Sequence, residues 1–468
     1  MIFHPQILLS HSGAFRFSGT VDAIANRSVT DRIFSEFWHN FTYLFSGLNV
    51  KETDEMIFSV GKAERPSLDG YAYAIRIEET GFCIVGRDAQ GLIHGYMTLL
   101  DRIRAVETDT GTALSIDCCE IKDSPRMQNR MVHFCIFPET ELWELQRFLR
   151  LCGALRFSHV ILEFWGMLHY DCMKELAWSH AFTKETLRPI LDEARALGLE
   201  IVPMFNHWGH ASAGRVMHGK HVVLDQNPSL QTCFSDDGWC WNIESPRVRA
   251  LLRKIRAELT ELCGDGSYFH IGCDEAYNFD LSTEGGMNAI CDFMNEIAEE
   301  MASCGRRIIV WGDMFLFRHP HYTDKYTCNA PLSHCEAYML NRLDKRIVIA
   351  DWQYDATRAP VETSEVFARA GFDTLLCPWD RGVPQIGACL ETAHAQNLFG
   401  FIHTTWHTLT KGMPYVTVAG VGCYEGYTPI VFRFYRTETA ALLRKVFPVN
   451  GDYKKAGWAK EQIGIITE

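Results

Sequence analysis

From about residue 130 onward one pattern recurs: a short apolar run of strand character, a polar loop, then an amphipathic helical stretch. Strand-like runs lie at 130–137, 158–165, 199–206, 267–273, 307–312, 346–352, 373–378 and 398–405. Near-continuous apolar runs mark strands covered on both faces, and eight of them alternating with helices is the arithmetic of a (β/α)8 barrel. The helices have readable ends. Leu187, Ile190, Leu191, Ala194 and Leu197 form one stripe closed by Gly198, and Ser245-Pro246 opens another, with serine as the expected N-cap, that runs to Gly264. No G-x-G-x-x-G or G-x-x-x-x-G-K-[ST] follows any strand, which weighs against a doubly wound nucleotide-binding sheet.

Upstream the period changes. Tyr71 to Ile77 alternates in period two and Gly81 to Gly86 follows as a second strand, a hairpin pattern, before a helical stripe of Leu92, Tyr96, Leu99, Leu100 and Ile103. Residues 1–122 therefore read as a small N-terminal α+β domain, and 123–468 as the barrel with a C-terminal extension. The boundary is placed at Asp123-Ser124-Pro125-Arg126, where a proline interrupts the chain before the first barrel strand.

Composition narrows the function. With 45 basic against 58 acidic side chains and a formal net charge of −13, the chain lacks the basic face that phosphate backbones require, so no nucleic-acid partner is expected and a neutral or cationic small substrate fits better. No run approaches the ~18 apolar residues of a membrane helix, and the start, Met1-Ile2-Phe3-His4-Pro5-Gln6, lacks the basic and apolar regions of a signal peptide. No membrane association and a cytoplasmic location are expected. Seventeen cysteines, an odd number without any C-x-x-C pair, read as reduced thiols, with no zinc ribbon and no cofactor or metal implied.

In a barrel of this kind chemistry sits at the C-terminal ends of the strands. The residues there are Glu163 and Trp165, Asn206 to His210, Asp274 and Glu275, Trp311 and Asp313, Trp352 to Asp355, Trp379 and Asp380, and Trp406 and His407, with Arg130 at the start of the first strand. Five of the eight ends carry a tryptophan. Flat apolar walls with carboxylates between them suit a sugar ring, whose C–H faces stack on indole while its hydroxyls take hydrogen bonds. The sharpest signal is Asp274-Glu275. Neighbours on an ideal strand point to opposite faces, so these two share a pocket only where the strand ends and bends. Mutual repulsion and nearby aromatic rings then favour keeping one of them protonated near neutral pH, as a general acid.

The run His270-Ile271-Gly272-Cys273-Asp274-Glu275-Ala276 resembles the pattern [HN]-x-G-x-D-E-[AILV] of the family 20 glycoside hydrolases, the β-N-acetylhexosaminidases. Ala89 to Leu99 resembles the end of that family's small N-terminal domain, and Asp123 to Arg126 followed by Arg130 resembles its entry into the barrel. The resemblance implies an exo-acting enzyme on a small oligosaccharide or glycoconjugate, working by substrate-assisted retaining hydrolysis through an oxazolinium intermediate. It implies Glu275 as acid and then base, Asp274 as the partner of the substrate acetamide N–H, and Tyr354 as the hydroxyl on the far side of that group. It further implies Arg130 as a clamp on sugar hydroxyls, His210 as a support of the acid pair, and Trp311, Trp352 and Trp406 as the acetamide pocket. Asp355 is a candidate sugar contact, with Glu163 and Trp379 at neighbouring strand ends.

Three departures stand out. Met131 replaces the usual glycine after Arg130, Trp352-Gln353-Tyr354-Asp355 differs in spacing from the common W-Y-x-D, and Trp406-His407-Thr408 replaces W-x-E. Asp380 or Asp313 is the expected substitute for the missing glutamate. Gluco against galacto preference stays open, and a homodimer is compatible with the sequence. Two competing readings are a metal-dependent hydrolase, prompted by His207-x-x-His210, and a catalytically silent sugar-binding barrel. The first strand offers only His133 where metal barrels want H-x-H, and both acidic residues that a silent barrel would lose are present.

Overall fold

The N-terminal part folds as an antiparallel sheet of β1 (Ile7–Arg16), β2 (Met56–Gly61), β3 (Tyr73–Glu78), β4 (Gly81–Gly86), β5 (Arg104–Thr108) and β6 (Gly111–Asp123). The strand order is β1-β6-β3-β4-β2, with β5 paired to β6. The expected hairpin is β3–β4, in register from Tyr73 opposite Gly86 to Glu78 opposite Gly81. A helix, Ala89–Arg102, follows, capped by Asp88, whose carboxylate accepts the Gly91 N–H at 2.7 Å. The structure is a computed structural model and describes residues 1–17, 38, 54–109, 111–212, 223–406, 409–429 and 432–447.

The barrel strands are β7 (Asn129–Cys135), β8 (His159–Glu163), β9 (Glu200–Met204), β10 (Tyr268–His270), β11 (Arg307–Trp311), β12 (Val348–Trp352), β13 (Thr374–Cys377) and β14 (Gly400–Thr405). All pair in parallel, and β14 closes onto β7 from Gly400 opposite Asn129 to Thr405 opposite Phe134. Alternation along each strand separates two cores. Met131, Ile161, Val202, Ile309, Val348 and Ile402 fill the barrel interior, whereas Val132, Val160, Ile201, Ile308, Ile349 and Phe401 belong to the outer layer under the helices. The helix Lys184–Ala196 is capped by Thr183 and ends as expected before Gly198, at φ +81°. Ser245 occupies the N-cap position of Pro246–Cys263 without a side-chain cap bond, so there the proline, not the serine hydroxyl, starts the helix.

Sheet, barrel and C-terminal helices meet at one buried cation. Arg156, just before β8 and fully buried, donates to Asp123 at 3.3 Å and to Glu425 at 2.6 Å, and its guanidinium lies 3.9 Å from the Phe3 ring centroid and 3.7 Å from that of Tyr424. Tyr73 and Thr98 complete the cluster. Nearby, Lys445 of the helix Phe432–Val446 donates to the carbonyls of Leu100, Asp101 and Ile103, which sit at the C-terminal end of the helix Ala89–Arg102. Removing one partner of a buried ion pair strands the others. Arg156→Ala is expected to lower the unfolding free energy by ~3–5 kcal/mol, read from urea denaturation; a wild-type midpoint would show that the cluster contributes nothing net.

Candidate active site

The strand β10 stops at His270, and the next five residues turn sharply. Gly272, Cys273 and Glu275 all take positive φ, at +68°, +77° and +49°. Glycine is needed at the first: a Cβ there would lie 1.6 Å from Asn206 Oδ1. The turn sends the adjacent side chains of Asp274 and Glu275 to the same histidine. His210 Nε2 lies 3.3 Å from Asp274 Oδ2 and 3.1 Å from Glu275 Oε2. Burial lowers the affinity of this ring for a proton, but the two carboxylates outweigh it and raise its pKa to about 9. The imidazolium thus offsets the repulsion that sequence reasoning resolved by protonating one carboxylate. His210, at φ +55°, touches the pair directly instead of through an intermediary.

Further contacts fix the acid. Tyr277 Oη donates to Glu275 Oε1 at 2.7 Å, the Trp239 indole N–H donates to the Glu275 carbonyl at 2.6 Å, and the Trp239 ring packs 4.4 Å from His210. Asp274 Oδ1 is buried and makes no hydrogen bond within the chain. These residues come from loops, where hydrophobic period gives no signal, so Trp239 was not legible in the sequence; Tyr277 stands two residues past the motif and was overlooked.

An aromatic wall faces the pair. Trp311 at the end of β11 packs against His270 (4.3 Å) and Trp406 (6.2 Å), the Trp406 indole N–H donates to Tyr354 Oη at 2.8 Å, and Tyr354 lies 4.7 Å from Trp352 and 5.5 Å from Trp379. Burial raises the Tyr354 pKa well above its usual value, and the Asp274 charge adds to this, so the two share one environment. The altered spacing before Tyr354 is absorbed by Gln353. That side chain turns away to Asp351 Oδ1 and the Thr327 backbone, leaving Trp352 and Tyr354 together on the pocket side.

Several expected contacts fall elsewhere. Arg130 is at the start of β7, at the opposite pole from the carboxylate pair, fully buried with its guanidinium bound to the carbonyls of Met127, Gln128 and Arg156. It points outward toward Tyr424, because alternation along β7 gives the interior to Met131 and His133. It cannot clamp a ligand at the C-terminal rim. Asp313 is at the rim, but its oxygens accept the Glu275 backbone N–H (3.0 Å), Asn329 Nδ2 (2.8 Å) and Trp352 Nε1 (3.0 Å), so it ties the acid's backbone to the pocket wall and is not open to a sugar. Burial first, and Asp274 second, push its pKa up to about 7 against those donors. Glu163 is held on the pocket floor by His133 Nε2 (3.1 Å) and Asn206 Nδ2 (2.9 Å). His133 stacks on Trp406 at 4.6 Å.

Asp355 pairs with Arg381 (2.9 Å) on the outer rim, both well exposed, and the Arg381 cation lies over Trp379 at 4.4 Å. Asp380 is buried beside the Lys411 charge, and burial pushes its pKa up to about 7. His407 and Thr408 lie outside the described residues. The two histidines of H-x-x-H diverge: His207 binds the Phe205 carbonyl and packs on Phe205 and Phe269. Among the described residues no three His, Cys, Asp or Glu side chains converge as a metal site.

A (β/α)8 barrel carrying a locked carboxylate pair and a tryptophan-walled pocket at the C-terminal strand ends defines a glycoside-hydrolase type of catalytic domain. Residues 158–381 match the model of "glycosyl hydrolase family 20, catalytic domain", and the chain belongs to that family. It is 23% identical over 268 residues to a β-hexosaminidase subunit A1 of Dictyostelium discoideum, covering 52% of this chain and 48% of that protein. It is 20% identical over 279 residues to a lacto-N-biosidase of Bifidobacterium bifidum, covering 55% and 24%. The chain thus spans about half or less of the length of these curated relatives. Its fold is similar to a β-N-acetylhexosaminidase of Bacteroides fragilis (TM-score 0.63, 14% identity, 94% of each chain). It is likewise similar to an exo-β-N-acetylglucosaminidase of Vibrio harveyi in complex with N-acetylglucosamine (TM-score 0.63, 15% identity, 95% of this chain and 77% of that one).

The histidine clamp has a pH signature. His210 has a folded pKa raised above its ordinary value of 6.5, so its stabilisation is complete below about 6.5 and is lost as pH rises through about 9. Wild type should therefore lose stability between pH 6.5 and 9.5 more steeply than His210→Gln, in urea midpoints taken across that window. Parallel slopes would mean that the ring stays neutral between the carboxylates.

Proposed function

We propose that the protein is an exo-acting β-N-acetylhexosaminidase that removes a terminal N-acetylhexosamine by substrate-assisted, retaining hydrolysis. The observation that carries this reading is the pairing of an acid already held by His210 and Tyr277 with an adjacent buried Asp274 oxygen that has no partner of its own. Such an oxygen suits an N–H donor from the ligand, and an acetamide beside the reacting carbon supplies one.

In this reading Asp274 accepts the acetamide N–H and turns the acetamide oxygen toward the anomeric carbon. Tyr354, whose hydroxyl oxygen accepts the Trp406 indole N–H, has its own proton to donate to that acetamide oxygen. Trp311, Trp352 and Trp406 exclude water around the group. Glu275 gives its proton to the leaving oxygen as the C–O bond breaks and the acetamide oxygen bonds to the anomeric carbon. Glu275 then takes a proton from the water that opens the oxazolinium ion. Family membership and the likeness to hexosaminidase folds support this reading. The terminal sugar's outer hydroxyls are assigned to Glu163, Asp355 and Asp380 at the rim, since Arg130 is at the other pole.

Activity should require the acetamide. A 4-nitrophenyl N-acetyl-β-glucosaminide should be cleaved, the matching plain β-glucoside should be nearly inert, and a thiazoline analogue of the oxazolinium ion should inhibit competitively. Comparable rates on the two substrates would refute substrate assistance. Glu275→Gln should lower the rate ~10²- to 10⁴-fold on a substrate with a poor leaving group and less on an activated one. Asp274→Asn should slow both alike; normal turnover with a lowered melting temperature would show that Asp274 merely holds the turn.

A further inference from the structure

Beside the acid, on the side away from the tryptophan wall, runs an open groove of about 700 Å³. Its size falls within the ~300–1,000 Å³ of small-molecule sites. It lies between the loops that follow β10 and β11. Tyr277, Met314 and Pro331 give it apolar surface, and Asn278, Ser282 and Asn329 give it hydrogen-bonding groups. Tyr277 joins the groove to the chemistry. Its side chain is 45% exposed, yet its hydroxyl sits 2.7 Å from Glu275 Oε1. The other oxygen of that carboxyl, Oε2, is held by His210. Oε1 is therefore the oxygen that must meet a leaving group, and Tyr277 Oη stands where a glycosidic oxygen would stand to receive the proton.

We propose that this groove is the leaving-group subsite, that it takes the sugar ring following the scissile bond, and that Tyr277 holds Glu275 Oε1 until the glycosidic oxygen replaces it. The proposal rests on the hydrolase reading above. A tyrosine hydroxyl both donates and accepts, so it satisfies Oε1 in the ionised and in the protonated acid and exchanges no proton overall. An exposed side chain changes rotamer within nanoseconds, far faster than turnover, so displacement does not limit the reaction. The Tyr277 ring then offers a flat face for the C–H side of the incoming pyranose, while Asn278 and Ser282 reach its hydroxyls. Mixed lining of this kind fits a carbohydrate leaving group better than a lipid or an extended peptide.

The test compares two substrates on the same preparation of each variant: a β-1,4-linked disaccharide of N-acetylglucosamine, whose leaving group is a sugar, and N-acetyl-β-glucosaminyl fluoride, whose leaving group is one atom. The ratio of their kcat/KM values is independent of how much of a variant is folded. Tyr277→Ala should lower the disaccharide-to-fluoride ratio about tenfold, by loss of the stacking face. Tyr277→Phe keeps the ring, so its ratio should stay within about threefold of wild type. Because the lost hydroxyl favoured the ionised acid, the alkaline limb of the Tyr277→Phe pH profile should move to higher pH. An unchanged ratio in Tyr277→Ala would overturn the subsite while leaving the hydrolase reading intact. Failure of wild type to cleave either substrate would overturn that reading and the subsite with it.

Discussion

Two consecutive carboxylates can serve one reaction only if the backbone between them abandons the strand, and the rest of the site is arranged around that requirement. Cys273 and Glu275 adopt left-handed backbone, which costs a non-glycine residue roughly 1–2 kcal/mol each. The turn persists because its backbone is held from several directions. Trp311 N–H bonds the Gly272 carbonyl, the Asp313 carboxyl takes the Glu275 N–H, Trp239 takes the Glu275 carbonyl, and His207 N–H bonds the Ile271 carbonyl. Each anchor comes from a different strand or loop of the barrel. Strain at the acid is thus offset by closure of the barrel, and the same anchors align Trp311 and Trp352 with the carboxylates they face.

The two poles of the barrel divide their arginines and carboxylates by role. At the bottom, Arg156 and Arg130 are buried against carbonyls, aromatic faces and, for Arg156, two carboxylates, and they join the N-terminal sheet and the C-terminal helices to the barrel. At the top, the cation between acidic groups is a histidine, whose charge depends on pH, and the carboxylates that sequence reasoning offered to a sugar split into structural and open ones. Asp313 is saturated by three donors, whereas Asp355 is exposed beside Arg381. A residue type at a strand end therefore did not by itself reveal its use: that depended on which neighbouring loop supplied donors.

Much of the architecture was legible because it rests on local periodicity. Apolar runs separated by helical stripes located all eight barrel strands to within a few residues, the hairpin of the N-terminal sheet, and the pocket tryptophans. Strands β1, β2, β5 and β6 were not read, since β1 and β2 are largely exposed and carry weak alternation. Arg130 was misplaced for a different reason. A family pattern gives position along the chain, but whether a side chain at the start of a strand points inward or outward is set by register, and register here gave the interior to its neighbours.

What the sequence determined by itself was the alternation of strands and helices, and the presence of an acidic pair at a point where glycine permits a sharp turn, because both follow from the chemistry of neighbouring residues. Only the tertiary structure decided that His210 from another loop stands between the two carboxylates, that Tyr277 and Trp239 hold the acid, that Asp313 serves the scaffold, and that Arg130 lies at the far pole. Those assignments depend on contacts between residues far apart in the chain, which closure of the barrel brings within hydrogen-bonding distance and which no local pattern encodes.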